Sequence, residues 1–210
     1  MNDTSENKSL HRAIIVVALG FLALALVFSA RAALGLAMPI WENDLDWSRG
    51  YVSNVAAVAL LIMAVASPIS GFILDRKGLR FTLLLGLIAV FISCIVISMA
   101  QSAWVLLIGF GIIGGVGFGI VATHMVASAV ARVYPENVGF ASGIATSGSS
   151  AGQFLIVPLI ALIFASFSWR WGFAGIAVGI ACLIPLVWWV PSDKPDKQVS
   201  KASTINDVTD

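Results

Sequence analysis

Residues 51–100 read YVSNVAAVALLIMAVASPISGFILDRKGLRFTLLLGLIAVFISCIVISMA. Two apolar runs, Tyr51 to Leu74 and Phe81 to Ala100, flank a short turn whose charges are Asp75, Arg76, Lys77 and Arg80. A helix rises ~1.5 Å per residue, so about 20 residues cross ~30 Å of hydrocarbon. Lipid offers the backbone no hydrogen-bond partners, which leaves helices or closed-barrel strands. The runs show no period-two alternation, which selects helices. Asp75 can open a tight type I turn and Gly78 can close it, with three cations held against anionic lipid. A plain basic turn accounts for Arg76, Lys77 and Arg80. It accounts neither for Gly71 nor for the single acid, Asp75.

Working outward, four more runs of the same kind appear: Ala13 to Pro39, Ala103 to Ala131, Gly139 to Ala165 and Trp171 to Val190. The chain is 59% hydrophobic and 11% charged, with a mean hydropathy of +0.97. Soluble domains carry about 25% charged residues, so the solvent here is lipid. The fold class expected is an all-α membrane protein, a six-transmembrane-helix bundle over residues 13–190. The flanking segments 1–12 and 191–210 are polar, lack an apolar period and are expected to be disordered tails. The first run is too long for the 7–15-residue core of a signal peptide. Cys94 and Cys182 fall within apolar runs without motif spacing and read as packing residues. Nothing calls for a cofactor, a metal or a nucleic acid; the one partner the composition demands is the bilayer.

Lys and Arg set the expected orientation. With the N-terminus inside, Lys8, Arg12, Arg76, Lys77, Arg80, Arg132, Lys194, Lys197 and Lys201 are inside, and only Arg49 and Arg170 are outside. The positive-inside rule then places both termini in the cytoplasm of a bacterial inner, or plasma, membrane. Trp41, Trp47, Trp104, Trp169, Trp171, Trp188 and Trp189 fall near run ends, where an aromatic belt is expected.

Inside the runs, charge is nearly absent. All eleven acids lie in loops or tails, and Arg31 alone carries a fixed charge within a run. Counted from Ala13, Arg31 lies ~27 Å along its helix. Such a residue either snorkels to the surface as an anchor or faces a cavity and marks an ion or substrate path. With no acid in any run, a carboxylate brought by a substrate would complete it, and the planar guanidinium suits that partner. His124 lies eight residues before Arg132. It reads either as a neutral residue bonded to a neighbouring helix or as a proton-handling group, since histidine titrates near neutral pH. Gly111, Gly115 and Gly119 repeat every four residues, as do Gly139, Gly143, Ser147 and Ala151; small residues let helices approach closely in lipid. Gln153, amid small residues, is the expected polar cavity contact, and Pro68, Pro158 and Pro185 can bend their helices.

The pattern G-x-x-x-D-R-x-G-x-R at Gly71, Asp75, Arg76, Gly78 and Arg80 resembles the signature loop of the major facilitator superfamily, departing from it at Leu79, where a further basic residue is common. The resemblance implies a loop that latches the two halves of a transporter, with Asp75 as the latch acid amid Arg76 and Arg80. The stretch Arg31 to Pro39, the triplet Trp47-Ser48-Arg49, and the run Gly143 to Gln153 with Pro158 after it are similar to the monocarboxylate and oxalate/formate branch. That likeness implies the N-terminal half of a twelve-helix facilitator, folded as a 3+3 inverted repeat. It further implies a cavity lined by helices one and four, a small anionic substrate, and a second six-helix half or a second copy as partner. Two rivals stand beside it. A six-span intramembrane serine protease would need Ser147 or Ser150 against His124; a channel would need a filter loop or an acidic ring.

Overall fold

A computed structural model describes the backbone of residues 3–189 and the side chains of 13–189. The expected tail at 191–210 lies outside the described residues. The first helix, α1 (Asp3–Leu45), starts ten residues before Ala13 and runs past Pro39. Once an apolar segment has nucleated a helix, each further residue adds a hydrogen bond at small cost, so the polar 3–12 backbone is helical rather than disordered. After α1 come α2 (Arg49–Ser98), α3 (Ala103–Leu106), a π-helical stretch (Leu107–Gly114), α4 (Gly115–Ile120), α5 (Thr123–Val133), α6 (Val138–Ser166) and α7 (Trp169–Trp189). Among the described residues, five helical segments are long and apolar enough to cross a membrane.

The second of these segments is α2, of 50 residues, and it is not straight. Gly78 alone leaves the helical region, at φ 80° and ψ 174°, a conformation open to glycine. The Thr82 hydroxyl donates to the Gly78 carbonyl at 2.9 Å. The type I turn expected from Asp75 is therefore a one-residue reversal, with Asp75, Arg76 and Lys77 still helical. The glycines that follow show the chain doubling back. A Cβ at Gly111, Gly115 or Gly119 would meet, in turn, Val55 and Val58, Ala59 and Ile62, and Met63 and Ala66. On the other side, Gly109 faces Val96 and Ile97, Gly114 faces Ser93, and Gly117 faces Gly86 and Val90. The fourth apolar run thus lies parallel to limb 49–77 and antiparallel to limb 79–98, with glycine at each close approach.

The expectation of one continuous helix over Ala103 to Ala131 fails at two places. Residues 107–114 are π-helical, and Val121 (φ −90°, ψ 67°) and Ala122 (φ −102°, ψ 157°) are non-helical. Three glycines at 115, 117 and 119 weaken the helix, each by about 1 kcal/mol relative to alanine, and β-branched Ile120, Val121 and Thr123 follow. By contrast, Pro39, Pro158 and Pro185 sit within continuous helices, and Pro68 within the helical limb that precedes Gly78.

The other helices pair just as closely. A Cβ at Gly148 would strike the Phe21 backbone, and one at Gly152 the Ala25 backbone, so α6 lies parallel to α1. The stripe expected to do this packing, Gly139 and Gly143, has nothing within 4 Å. Helix α7 lies antiparallel to limb 79–98. Arg80 stacks on Trp188 at one end, and Arg170 donates to the Ser98 carbonyl at 3.0 Å at the other. The aromatic belt is also redrawn. Trp41 is fully buried, packed on Trp169 at 5.4 Å, Trp47 at 5.7 Å and Phe173 at 6.0 Å. Trp104, Trp171, Trp188 and Trp189 remain exposed, as a belt requires.

Candidate functional site

Arg31 sits 14 residues before the Leu45 end of α1, or ~21 Å along the axis. Because α1 runs on beyond Pro39, Arg31 lies nearer the middle of a span than the count from Ala13 suggested. Its side chain is exposed, and its recorded side-chain partner is the Met63 sulfur, 4.0 Å from Nη1. Among the described residues the ion pairs are Glu42–Arg49 and Asp75–Arg132, so no carboxylate reaches Arg31.

Two cavities meet at this guanidinium. The larger, about 240 Å³, is lined by Arg31 together with Phe28, Met63, Ser67, Thr123 and His124. The smaller, about 120 Å³, extends past Arg31 to Leu34, Ala56, Leu60 and Phe110. Met63 and Phe118 wall both. The break at Val121–Ala122 gives onto the larger cavity, where Ala122 and Thr123 form part of the wall. Non-helical backbone at membrane depth persists only where protein buries it or a cavity is lined by it, and here both hold: Val121 is fully buried and Ala122 faces the space.

His124 Nε2 and Ser67 Oγ are hydrogen-bonded at 3.1 Å. The structure thus brings Arg31 and His124 to one cavity, each facing the same helix, at Met63 and Ser67 one turn apart. It does not bring Gln153 there. Gln153 donates to the Ser149 carbonyl at 3.3 Å on the exposed side of α6. Ser147 donates to the Ile144 carbonyl; the serine that meets His124 is Ser67, which the sequence did not single out.

The signature loop is arranged differently from the expected latch acid ringed by its own cations. Asp75 pairs with Arg132 at the end of α5. Arg76 stacks on Phe72, Lys77 on Phe81 and Arg80 on Trp188. Gly71 has nothing within 4 Å, and Gly78 provides the reversal. The Asp75–Arg132 contact joins residues 57 apart, the same separation as Ser67 and His124, so α5 is tied to limb 49–77 in parallel register at both ends.

Apolar helices, a backbone break at membrane depth and a cavity holding a cation without a carboxylate partner among the described residues define an integral, multi-pass membrane protein. The chain matches the Major Facilitator Superfamily over residues 20–205 and belongs to that family. It is 26% identical to human monocarboxylate transporter 14 over 156 residues, covering 74% of this chain and 30% of that protein. It is also 26% identical to human monocarboxylate transporter 11, covering 86% and 39% respectively. The inward-open xylose transporter of E. coli superposes with a TM-score of 0.71 at 16% identity, over 94% of this chain and 51% of its own. The chain therefore spans well under half the length of these curated relatives. Family and relatives are transporters rather than enzymes, which removes the protease reading.

Proposed function

We propose that this chain forms the N-terminal half of a facilitator that carries a small organic anion, such as a monocarboxylate, by symport or antiport. The observation that carries the proposal is Arg31, mid-helix at the shared wall of two cavities and without a carboxylate partner among the described residues. Arginine there is costly in lipid unless it faces a cavity and finds an anion, and it grips a carboxylate through two hydrogen bonds. His124, bonded to Ser67 on the same cavity, is proposed as the proton-handling group, and Gln153 as a polar contact completed by further protein.

The proposed half contains six spans in a 3+3 inverted repeat. A straight 50-residue helix would be ~75 Å long, more than twice the hydrocarbon thickness, so the reversal at Gly78 supports two crossings within α2. The repeat is supported by which helices pair. Numbered as crossings, the first packs on the fifth, the second on the fourth, and the third on the sixth. Exchanging one with four, two with five and three with six leaves that pairing unchanged. The Lys and Arg distribution supports cytoplasmic termini in an inner membrane. The proposed partner is a second six-helix half or a second copy of the chain, which would cover the face that carries Arg31.

With the remaining half supplied, Arg31→Ala is expected to abolish uptake of a small carboxylate and Arg31→Lys to weaken it. Undiminished uptake by Arg31→Ala would return Arg31 to the role of membrane anchor. His124→Gln is expected to flatten the pH dependence of uptake between about pH 5.5 and 7.5. An unchanged profile would make His124 structural.

A further inference from the structure

The two cavities beside Arg31 differ in chemistry. The larger presents the Ser67 and Thr123 hydroxyls and the His124 ring. Apart from Arg31 itself, the side chains lining the smaller are apolar: Leu34, Ala56, Ala59, Leu60, Met63 and the rings of Phe110 and Phe118. Leu34, Phe110 and Phe118 are themselves buried, and the two rings pack edge to face at 5.4 Å, so the floor of this lobe is fixed by the core. Leu60, 46% exposed, stands at the rim. A lobe of about 120 Å³ is comparable with the ~150 Å³ apolar cavities that take up benzene.

We propose that this lobe is a specificity subsite, which receives the hydrophobic body of a monocarboxylate whose charged end is held by Arg31. The inference rests on the anion-binding reading of Arg31 and names the substrate class: a carboxylate with a branched aliphatic or phenyl group, rather than a two- or three-carbon acid. A cation at the mouth of an apolar recess is complementary to an anion with an apolar tail. The recess lies on the side of Arg31 away from His124 and Ser67, so charge and tail separate along one line. Ala56 and Leu60 set the length of tail accepted, because both line this lobe and neither lines the other.

The test is binding of acetate, butyrate, hexanoate and phenylacetate to the chain with the remaining half supplied, in lipid nanodiscs, measured by calorimetry. Affinity is expected to rise about fourfold per methylene, hence roughly 15-fold from acetate to butyrate. It should level off once the lobe is full, with phenylacetate near the plateau. Ala56→Leu is expected to cut the gradient to less than twofold per methylene. Leu60→Ala, at a half-exposed position, is expected to move the plateau to a longer tail. Arg31→Ala is expected to abolish the whole series. Equal affinities for all four acids, with binding still dependent on Arg31, would overturn the lobe and leave the anion site standing. A gradient that persists in Arg31→Ala is partition into lipid and would overturn the subsite. Absence of binding by the unaltered protein with both halves present would overturn both the subsite and the anion reading beneath it.

Discussion

The fourth apolar run is held to its neighbours in two different ways on either side of Val121–Ala122. Above the break, residues 107–120 are fixed by backbone contact. Gly115 and Gly119 lie against the Ala59 and Met63 carbonyls, and Gly117 against the backbone of Gly86 and Val90. Below it, α5 is tied to the same limb by the side-chain contacts Ser67–His124 and Asp75–Arg132. Backbone contacts across glycines admit one arrangement, because nothing between the helices can rotate away. Side-chain ties between exposed groups are worth ~0.2–1 kcal/mol and are screened by salt. The cavity sits at the junction, so one wall is set by backbone contact and the other by α5, which buries Met125, Val126, Ala129 and Val130 in the core but meets limb 49–77 through side-chain ties. The proposed transport requires the site to change which side it opens to, and segments that move are drawn from the less stable end of a structure.

The sharpest way to break this contrast is to place a side chain in the rigid part. Gly119→Val would put Cβ against the Ala66 side chain and the Met63 backbone. It is expected to cost ~3 kcal/mol or more, at the upper end of overpacking effects, read as a large loss of thermal stability in detergent. Gly148→Ala, whose Cβ would meet the Phe21 backbone, is expected to behave similarly in the α1–α6 pair. Ser128→Val, exposed on α5, is expected to stay within about 0.5 kcal/mol of the parent. Equal losses at Gly119 and Ser128 would erase the distinction between the two parts.

Much of this organisation is legible in the residues, and what is not has a physical reason. Hydropathy alone marks the apolar runs, because lipid penalises every alternative. Gly78 is legible because a reversal between charged residues needs a backbone without Cβ. Arg31 and His124 are legible because an ionisable group in an apolar run needs a cause. The break at Val121–Ala122 has no proline to announce it, while four prolines lie inside helical stretches that none of them interrupts. A run of alternating glycines followed by β-branched residues is the only local signal, and the same glycines also serve packing. The Asp75–Arg132 and Ser67–His124 contacts join residues 57 apart, and no local pattern reports such a distance. Trp41 resembles a belt residue by position; its burial depends on Trp169 and Phe173, which arrive from the far end of the chain.

The lower part tests the other side of the comparison. Arg132→Ala removes a tie whose partners are 51% and 63% exposed, so global stability is expected to fall by no more than ~0.2–1 kcal/mol. Local opening of α5 should rise with it, giving amide exchange about two- to fivefold faster at residues 123–133. Exchange at 107–120 should not change. Adding Ser67→Ala should quicken α5 further, because it removes the second tie at the cavity end. Uniform acceleration through both parts would mean that the break at Val121–Ala122 does not separate them.

The smallest expected effect lies on α6, which carries both kinds of small-residue stripe on one helix. At ~100° per residue, Ala141, Ala145, Gly148 and Gly152 share one face, and Gly139, Gly143 and Ser147 the opposite one. The first face is buried and closes on α1; the second is open, with nothing within 4 Å of a Cβ at Gly139 or Gly143. Gly143→Ala in the chain of residues 1–210 is therefore expected to shift thermal stability by no more than about 0.5 kcal/mol. Any shift should be towards greater stability, since alanine favours the helix over glycine. A loss above ~1 kcal/mol would show that the open face is already packed. The informative result is a conditional one. If Gly143→Ala is harmless in this chain and harmful once a second half is present, the open stripe is a seat for that half, and the two faces of α6 differ only in which partner closes them.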